Sequence, residues 1–324
     1  MPKVSVIVPV YGVEKYIERC ARSLFEQTLD DIEYLFIDDC TPDRSIEILQ
    51  QVLEDYPQRK PQVVIHRMEK NSGQAAVRKW GMQNATGEYV IHCDSDDWVD
   101  TDMYRAMYEK AKDEVADIVV CDYNITDGKK YNRLSAYLYQ GDNYIEGFIL
   151  RRNKCSLCNK IIKRDLIQNN KIVYPSDNYG EDLALILQLV LYANKISYIS
   201  KPFYNYFVNS ESITNKPSTE AIISRWQQYV NNILIVENIY KNKGLYEIYK
   251  NEFVSLKFSG KQTIIGALNS KGVYKMWRNS FSEINFVLLL NKYIHVKDKL
   301  KYIFIYLGIY IVTNYIKNFI SCQK

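Results

Sequence analysis

The sequence predicts an α/β fold in which helices flank a mostly parallel sheet. Over residues 1–125, short apolar runs alternate with amphipathic stretches that are long enough to be crossover helices. This alternation is typical of βαβ units and of a Rossmann-like sheet. Beyond residue 218 the pattern turns helical and rich in tyrosine, without convincing strands. We therefore expect an α-helical carboxyl-terminal extension after the α/β part.

Each predicted element rests on its own periodicity. Strands are expected at residues 4–8, 33–37, 62–66, 89–93 and 117–121, which are short apolar runs. Helices are expected between them, at about residues 14–27, 44–55, 73–84 and 103–112. A further helix is expected after Gly180, because the apolar residues that follow share one helical face: Leu183, Ile186, Leu187, Val190 and Leu191. Ligands of such sheets bind beyond the carboxyl ends of the strands.

Length and composition favour two parts. A chain of 324 residues exceeds the usual size of one domain, and 47% hydrophobic residues are enough for a sizeable core. We expect residues 1–215 to form the α/β domain. Residues 216–324 would form the helical region. The boundary is expected in the polar stretch 209–218.

The net charge of +4 is unevenly distributed. Residues 201–324 hold 17 Lys and Arg against 7 Asp and Glu, a balance of +10, so residues 1–200 carry −6. A basic carboxyl-terminal third suits an anionic surface, and nucleic acid is not expected as a partner.

The 7 cysteines are scattered, and several lie in apolar runs, which is typical of a reducing compartment. Cys155 and Cys158 form a CxxC pair without a second pair or a nearby histidine, so zinc is not favoured. Residues 1–3 lead directly into a strand, so no signal peptide is expected and a cytoplasmic location is predicted.

Three carboxylates follow the fourth predicted strand, in the stretch Cys93-Asp94-Ser95-Asp96-Asp97-Trp98. Such a cluster needs a cation or hydrogen-bond donors, and Mg²⁺ completed by substrate phosphates is one answer. The alternative is structural, since acids after a strand also form turns or start helices, as Asp97 or Asp100 would before Met103.

Other polar residues lie at the ends of neighbouring elements. Asp39 follows the second strand, where an acid can contact a nucleotide, although it can also be a turn residue before a helix capped by Asp43. A nicotinamide-binding fold is not favoured, because residues 9–12 lack the GxGxxG pattern.

A third group of candidates lies at predicted helix starts. Residues 71–74 open the helix that carries Arg78, which could reach a nucleotide or lie on a solvated face. Glu181 and Asp182 either complement a helix dipole or include a catalytic base.

Taken in order, these segments resemble the family 2 inverting glycosyltransferases of bacterial polysaccharide assembly, which have the GT-A fold. The resemblance covers residues 1–215, and the order and spacing of the motifs make it specific. It implies a nucleotide-binding half at about residues 1–100 and an acceptor half at 101–215. The motifs are Val4-Ser-Val-Ile-Val-Pro-Val-Tyr11, Phe36-Ile-Asp-Asp-Cys-Thr-Pro-Asp43, Asn71-Ser-Gly-Gln-Ala-Ala-Val-Arg78, Ala85-Thr-Gly-Glu-Tyr89, Asp94-Ser-Asp-Asp97, Asn159-Lys-Ile-Ile-Lys163, Gly180-Glu-Asp-Leu183, Phe203-Tyr-Asn-Tyr206 and Ser212-Ile-Thr214.

The resemblance implies a role for each matching residue. Asp39 would contact the uracil or other base, with Pro9 and Tyr11 lining the same pocket. Asp94 would lie near the ribose, and Asp96 would hold Mg²⁺ or Mn²⁺ on the diphosphate with help from Asp94. Asp182 would be the catalytic base, with Glu181 as the second candidate.

The implied reaction moves one sugar from a nucleotide-diphosphate sugar, UDP-linked, to a hydroxyl of a saccharide or lipid-linked saccharide, with inversion. Capsule, exopolysaccharide or lipopolysaccharide assembly is the implied setting. Processive synthesis is not expected, because Ile222 stands where the QxxRW motif has Gln before Arg225-Trp226. Two motifs depart from the family pattern, with Cys40-Thr41 in place of Gly-Ser and Val77 and Lys79 in place of Ala and Asn around Arg78.

Two rival functions fit the sequence less well. A sugar-nucleotide pyrophosphorylase would need a Gly-rich nucleotidyl loop near the amino terminus, and this chain has none. A non-catalytic sugar-nucleotide-binding or scaffold subunit of a synthesis complex stays open. The oligomeric state is not predicted.

The carboxyl-terminal region contains an apolar run at residues 302–312, preceded by Lys297, Lys299 and Lys301. A membrane span needs about 20 apolar residues. The shorter run predicts an interfacial helix on the inner face of the cytoplasmic membrane, or a helix buried against the catalytic domain.

Overall fold

The computed structural model describes residues 1–137, 144–208 and 218–309. The chain divides into two compact units, Met1–Phe148 with Arg152–Ser212 and Ile149–Arg151 with Ile213–Lys324. The predicted boundary between residues 215 and 216 lies outside the described residues.

The first unit is built on one sheet, which confirms the predicted α/β class. Its strands in the described residues are β1 (Val4–Val10), β2 (Ile32–Asp38), β3 (Val63–Arg67), β4 (Tyr89–His92), β5 (Trp98–Val99), β6 (Ile118–Thr126), β7 (Tyr131–Leu134), β8 (Lys160–Lys163) and β9 (Ile196–Phe207). They lie in the order β3-β2-β1-β4-β8-β6-β9-β5, and β7 pairs with β6.

The strands at the amino-terminal side pair in parallel, as predicted. β1 lies between β2 and β4, and β2 pairs with β3. Helices cover both faces of such a sheet, so both faces of a strand are apolar. β1 accordingly buries Val4, Val6, Ile7 and Val8 completely. Residues 4–8, which were predicted as the first strand, therefore belong to a strand with a neighbour on each side.

Five helices of the first unit lie where the sequence predicted them, and two further short helices were not predicted. In chain order they are α1 (Ile17–Phe25), α2 (Ser45–Glu54), α3 (Gln74–Asn84), α4 (Met103–Glu114), α5 (Tyr144–Ile149), α6 (Arg164–Gln168) and α7 (Glu181–Tyr192), of which α5 and α6 are the two that were not predicted. The sequence predicted one apolar face for α7, but the buried surface of this helix is wider than that face. Every residue from Leu183 to Val190 is buried, so this helix is apolar almost all round because it lies inside the unit.

The sheet is mixed beyond β4. β8 pairs antiparallel with both β4 and β6, and β9 pairs in parallel with β6. The sequence pattern between residues 142 and 206 did not predict these strands. They place the segment before α7 beside the parallel half of the sheet.

The second unit is helical, as predicted. Its helices are α8 (Thr219–Asn242), α9 (Lys250–Gln262), α10 (Val273–Asn279) and α11 (Val296–Tyr306), with short 3-10 turns at Ile265–Ala267, Ser282–Ile284 and Val287–Leu289. Its core holds Ile233, Val236, Phe253, Leu256 and Trp277. The buried ammonium of Lys257 contacts Glu237 and Glu283 at 2.8 and 2.7 Å, so its charge is paired.

The predicted apolar run at 302–312 is only partly described. Residues 310–312 lie outside the described residues. Tyr302 and Ile305 of α11 are buried in the second unit, whereas Phe304 and Leu307 are exposed. In the part of the chain that the structure describes, no helix is both long and apolar enough to cross a membrane.

Candidate active site

The ends of β1 and β2 bring three predicted nucleotide-binding residues side by side. Pro9 pairs with Ile37 in the strand register, and the amide of Asp39 donates to the carbonyl of Val10 at 3.0 Å. Tyr11, which follows Val10 in the chain, is half exposed. Pro9, Tyr11 and Asp39 therefore lie at one edge of the sheet, where parallel α/β folds bind ligands.

The Asp39 carboxylate is buried and anchors the start of α3. Its two oxygens accept hydrogen bonds from the amides of Ser72 and Gly73, at 2.7 and 2.8 Å. Free amides at a helix start attract anions, and a carboxylate satisfies them. Asp39 therefore ties β2 to α3.

Gly73 is required at this junction. Its φ of +83° and ψ of 164° belong to a region that only glycine adopts without strain. A Cβ at this position would lie 2.3 Å from Nδ2 of Asn178. Oδ1 of Asn178 accepts from the amide of Ala75 at 2.9 Å, so the segment before α7 is attached to the first turn of α3. Sequence reasoning missed Asn178.

Arg78 joins the other predicted site residues. Its side chain is 2% exposed. Its Nη1 donates to Glu181 at 2.7 Å and contacts Asp182, and its Nη2 donates to Asp94 at 2.9 Å. The solvated-face alternative for Arg78 is therefore wrong. Burial opposes the charge of Arg78, but Asp94 and Glu181 outweigh it and raise the pKa of the guanidinium.

The two candidate bases differ in their access to solvent. The Asp182 side chain is 28% exposed, whereas that of Glu181 is 7% exposed. Burial raises the pKa of Glu181, and the Arg78 charge opposes that rise. The second oxygen of Asp182 accepts from the Leu157 amide at 3.3 Å, so the carboxylate is oriented. Asp182 is the more accessible carboxylate of the two.

Asp97 is a buried acid with two structural hydrogen bonds, and the helix-start alternative for it is wrong. It accepts from the Tyr204 hydroxyl at 2.5 Å and from the Phe207 amide at 2.7 Å. Burial and the nearby carboxylates of Asp96 and Asp94 raise its pKa. The N-cap of α4 is Asp102, not Asp97 or Asp100. Asp97 ties β9 to the acidic loop that follows β4.

Tyr204 is a second residue whose role the sequence left unassigned. Its hydroxyl also accepts from the Asp94 amide at 3.1 Å. One tyrosine thus positions both Asp94 and Asp97. The tyrosine-rich motif at residues 203–206 was the sequence feature that could have identified Tyr204.

Arg19 orients the acidic loop from the opposite side. Its guanidinium lies 3.8 Å from the Trp98 ring and 4.5 Å from the Phe207 ring. Its Nη2 donates to the main-chain carbonyl of Asp96 at 2.7 Å. Cation–π contacts of this kind stabilise a partly buried arginine. The loop that carries Asp94 and Asp96 is therefore held at Tyr204 and at Arg19.

His92 is fully buried at the end of β4. Neither ring nitrogen has a hydrogen-bond partner among the described residues. Burial and the nearby Arg78 charge lower the pKa of His92, so its imidazole is neutral at neutral pH. It has no acid–base role at the surface of the site.

The donor set for a metal is incomplete within the protein itself. Among the described residues, no three or more His, Cys, Asp or Glu side chains are grouped so that they could hold a metal ion. Asp94 and Asp96 are half-buried acids of one loop. A divalent cation at such a loop takes its remaining ligands from water and substrate phosphates.

Comparison with known proteins identifies the family. The family model for glycosyl transferase family 2 matches residues 5–170. The chain belongs to glycosyl transferase family 2. The predicted family is thereby confirmed.

Two curated relatives of this glycosyltransferase span most of its length. The putative glycosyltransferase EpsH of Bacillus subtilis (strain 168) is 30% identical over 73% of this chain and 70% of its own. The cholesterol galactosyltransferase of Borreliella burgdorferi is 27% identical over 82% of this chain and 77% of its own.

A solved structure supports the fold. S. aureus TarS 1-349, crystallised in complex with UDP-GlcNAc, matches this glycosyltransferase with a TM-score of 0.59 and 18% identity, over 90% of this chain and 89% of TarS 1-349. The likeness shows the GT-A fold that the sequence predicted.

Proposed function

We propose that this glycosyltransferase moves one sugar from a UDP-linked sugar to a hydroxyl of a saccharide or lipid-linked saccharide, with inversion at the anomeric carbon. The Arg78 side chain supports this proposal most directly. It contacts Asp94, from the acidic loop, together with Asp182, the candidate base. The proposed donor site and the proposed base would thus both contact the same guanidinium.

The donor nucleotide would bind at the edge formed by Pro9, Tyr11 and Asp39. The exposed Tyr11 ring offers a surface against which a base can stack, and Asp39 can accept from a base N–H. TarS binds UDP-GlcNAc, which supports a UDP-sugar as the donor for a related fold. The sequence between residues 95 and 215 would then select the sugar.

Asp182 would act as the general base. It is the more accessible carboxylate of the pair, and a carboxylate can take the proton of an attacking hydroxyl. One base is sufficient for a direct displacement, in which the acceptor attacks from the face opposite to the leaving nucleotide. An α-linked donor would then give a β-linked product. Glu181 remains the second candidate, although its burial disfavours it.

Asp94 and Asp96 would hold Mg²⁺ or Mn²⁺. Enzymes of this family commonly use a divalent metal. The residues fit such an ion, because Asp97 next to them has a pKa raised by burial and by their charges, and a cation would offset that repulsion. When bound, the metal would neutralise charge on the leaving diphosphate.

The acceptor is proposed to be lipid-linked, at the inner face of the cytoplasmic membrane. The relative from Borreliella burgdorferi acts, by its name, on the membrane lipid cholesterol. The basic carboxyl-terminal third supports a location near an anionic surface. Assembly of a cell-surface polysaccharide is the setting that fits such an acceptor.

A donor screen tests the proposal. The purified chain is incubated with UDP-, GDP- and dTDP-sugars, with and without Mn²⁺ or Mg²⁺, and release of the nucleotide is measured. We expect release from a UDP-sugar that requires the metal and stops when EDTA is added. If no nucleotide is released from any of these sugars with either metal, the non-catalytic subunit is the better account.

A further inference from the structure

One face of α11 is apolar and exposed. Val296, Leu300, Phe304 and Leu307 recur at spacings of four, four and three residues, so they lie on one side of the helix. All four are exposed, and Phe304 retains 50% of its accessible surface. The opposite side packs inward through Tyr302 and Ile305.

A turn that borders α11 carries further exposed apolar side chains. Phe286 and Leu290 flank the 3-10 turn Val287–Leu289, and they are 71% and 90% exposed. The Phe286 ring lies 6.0 Å from the ring of Tyr306 in α11, so the turn borders the helix. We call the two together the apolar surface: Phe286, Leu290, Val296, Leu300, Phe304 and Leu307. Exposed apolar side chains grouped on one helix and its neighbouring turn favour an interaction site.

The border of the apolar surface is basic. Lys297 and Lys301 are exposed on one side of the helix face, and Lys299 lies on the other. Arg278 lies against the Tyr306 ring at 4.6 Å. Between residues 273 and 309 the sequence has two acids, and Glu283 is paired with the buried Lys257. The border therefore carries a net positive charge.

We infer that the apolar surface docks onto an anionic lipid bilayer, with the aromatic and leucine side chains in the interface and the lysines against the headgroups. A helix with such an apolar face and lysines on its borders is typical of interfacial binding. A second copy of the chain would bring one lysine border against another, which is unfavourable. Residues 310–324 hold Lys317 and Lys324 and no acid, so they also lack a complementary charge.

The apolar surface differs from the apolar run predicted at residues 302–312. Two residues of that run, Tyr302 and Ile305, belong to the core of the second unit. The turn at Phe286 and Leu290, which the run does not include, provides the most exposed apolar side chains. This surface specifies the peripheral association proposed above, but it does not depend on the transfer chemistry.

Vesicle co-sedimentation of the full chain tests the inference. Vesicles of phosphatidylcholine alone are compared with vesicles that contain about 30% phosphatidylglycerol, a fraction that gives a clearly negative surface. We expect binding to the anionic vesicles that weakens as salt is raised. The double variant Leu290→Glu/Phe304→Glu should lower the partition coefficient at least about tenfold. Reversal of Lys297, Lys299 and Lys301 to Glu should lower it by a similar factor or more.

Ile248→Glu is the matched control. Ile248 is an exposed apolar residue of the same unit that is not part of the apolar surface. This variant should bind like the wild type. The inference is overturned if the wild type does not bind anionic vesicles, or if the double variant binds them as strongly as Ile248→Glu does. It is also overturned if light scattering shows a wild-type dimer that the double variant dissociates, because a second copy would then cover the surface.

Nucleotide release is measured on the same protein preparations without vesicles. This measurement separates the docking inference from the proposed function. Vesicle binding without turnover would support the membrane-docking inference and contradict the proposed transfer reaction. Turnover without vesicle binding would support the transfer reaction and contradict the docking inference.

Discussion

Arg78 is a buried cation that gains its stability from three carboxylates. Asp94, Glu181 and Asp182 surround it, and two of them are more than a quarter exposed. Removing one partner from a buried ion cluster is costly, because the remaining charges lose their compensation. Arg78 therefore has a structural task as well as any contact with the donor.

Replacement of Arg78 by Met is expected to destabilise the protein. The carboxylates would repel each other beside a buried apolar side chain, and the free energy of unfolding should fall by about 3 kcal/mol. The urea midpoint measures the change. Arg44→Met is the matched control, since Arg44 forms an exposed ion pair with Glu47. That variant should leave the urea midpoint almost unchanged, because exposed ion pairs contribute little to stability. Equal, small changes in both would show that the cluster around Arg78 does not form.

The sequence predicted which residue types belong to the site but not their pairing. Arg78 and Glu181 lie 103 positions apart, so no local pattern links them. His92 and Asn178 gave no signal because their importance depends on what lies against them in space. Asp43 was predicted to cap α2, whereas Arg44 occupies the N-cap position and Asp43 accepts from the Ser45 amide at 3.1 Å.

At the scale of elements, α3 connects the nucleotide edge to the candidate base. Asp39 holds its start, Asn178 packs on its first turn, and Arg78 lies further along it. Gly81 of the same helix faces β1, since a Cβ there would lie 2.5 Å from the side chain of Ile7. The helix is thus fixed against the sheet, and its start is the position most sensitive to substitution.

Gly73→Ala should impair the site more than an equivalent change elsewhere. The added Cβ meets Asn178 and the backbone conformation is unfavourable, so α3 or the segment before α7 must shift. We expect a loss of about 2 kcal/mol or more in the free energy of unfolding, together with weaker UDP binding. Gly12→Ala is the control, because φ is +67° there but a Cβ meets no atom within 4 Å. It should cost about 1 kcal/mol. Two variants of equal stability would contradict the close contact with Asn178.

The parallel strands were predictable because each is a continuous apolar run. β8 was not, since it has only the short sequence Lys160-Ile-Ile-Lys163 and takes its place from β4 and β6, distant in the chain. Strand pairing over such separations leaves no local periodicity. The helices of the second unit were predicted as a class, but their turns, which carry Phe286 and Leu290, were not.

At the scale of the whole molecule, a buried lysine should shape the pH dependence of stability. Lys160 is completely buried, and burial lowers its pKa to about 8. Its ammonium donates to the Ser156 carbonyl at 2.7 Å and to Asn159 at 2.9 Å. In the unfolded chain a lysine keeps its proton up to about pH 10.4.

At the Lys160 site the unfolded chain therefore binds more protons than the native chain above pH 8, so this lysine contributes stability that rises with pH. Its contribution should rise by about 1 kcal/mol per pH unit between roughly pH 8 and 9.5. Lys261, whose pKa burial also lowers to about 8, adds to this slope, whereas the buried thiols of Cys121 and Cys158, whose pKa values burial raises, oppose it. Lys160→Met should therefore make the pH slope of the free energy of unfolding more negative than that of the wild type by about 1 kcal/mol per pH unit. Lys163→Met, on the same strand but partly exposed, is the control and should keep the wild-type slope. An identical slope in wild type and Lys160→Met would show that Lys160 is not the source.

The assignment of Asp182 as the catalytic base is the central claim, and the turnover of Asp182→Asn tests it most directly. Asparagine keeps the size and a hydrogen-bond acceptor for Arg78 but cannot take a proton. We expect kcat for sugar transfer to fall by about 10²–10⁴, with the UDP affinity little changed. Asp165→Asn, another acid in the first turn of a helix, should transfer like the wild type. Wild-type turnover in Asp182→Asn, with loss of activity in Glu181→Gln instead, would contradict the account.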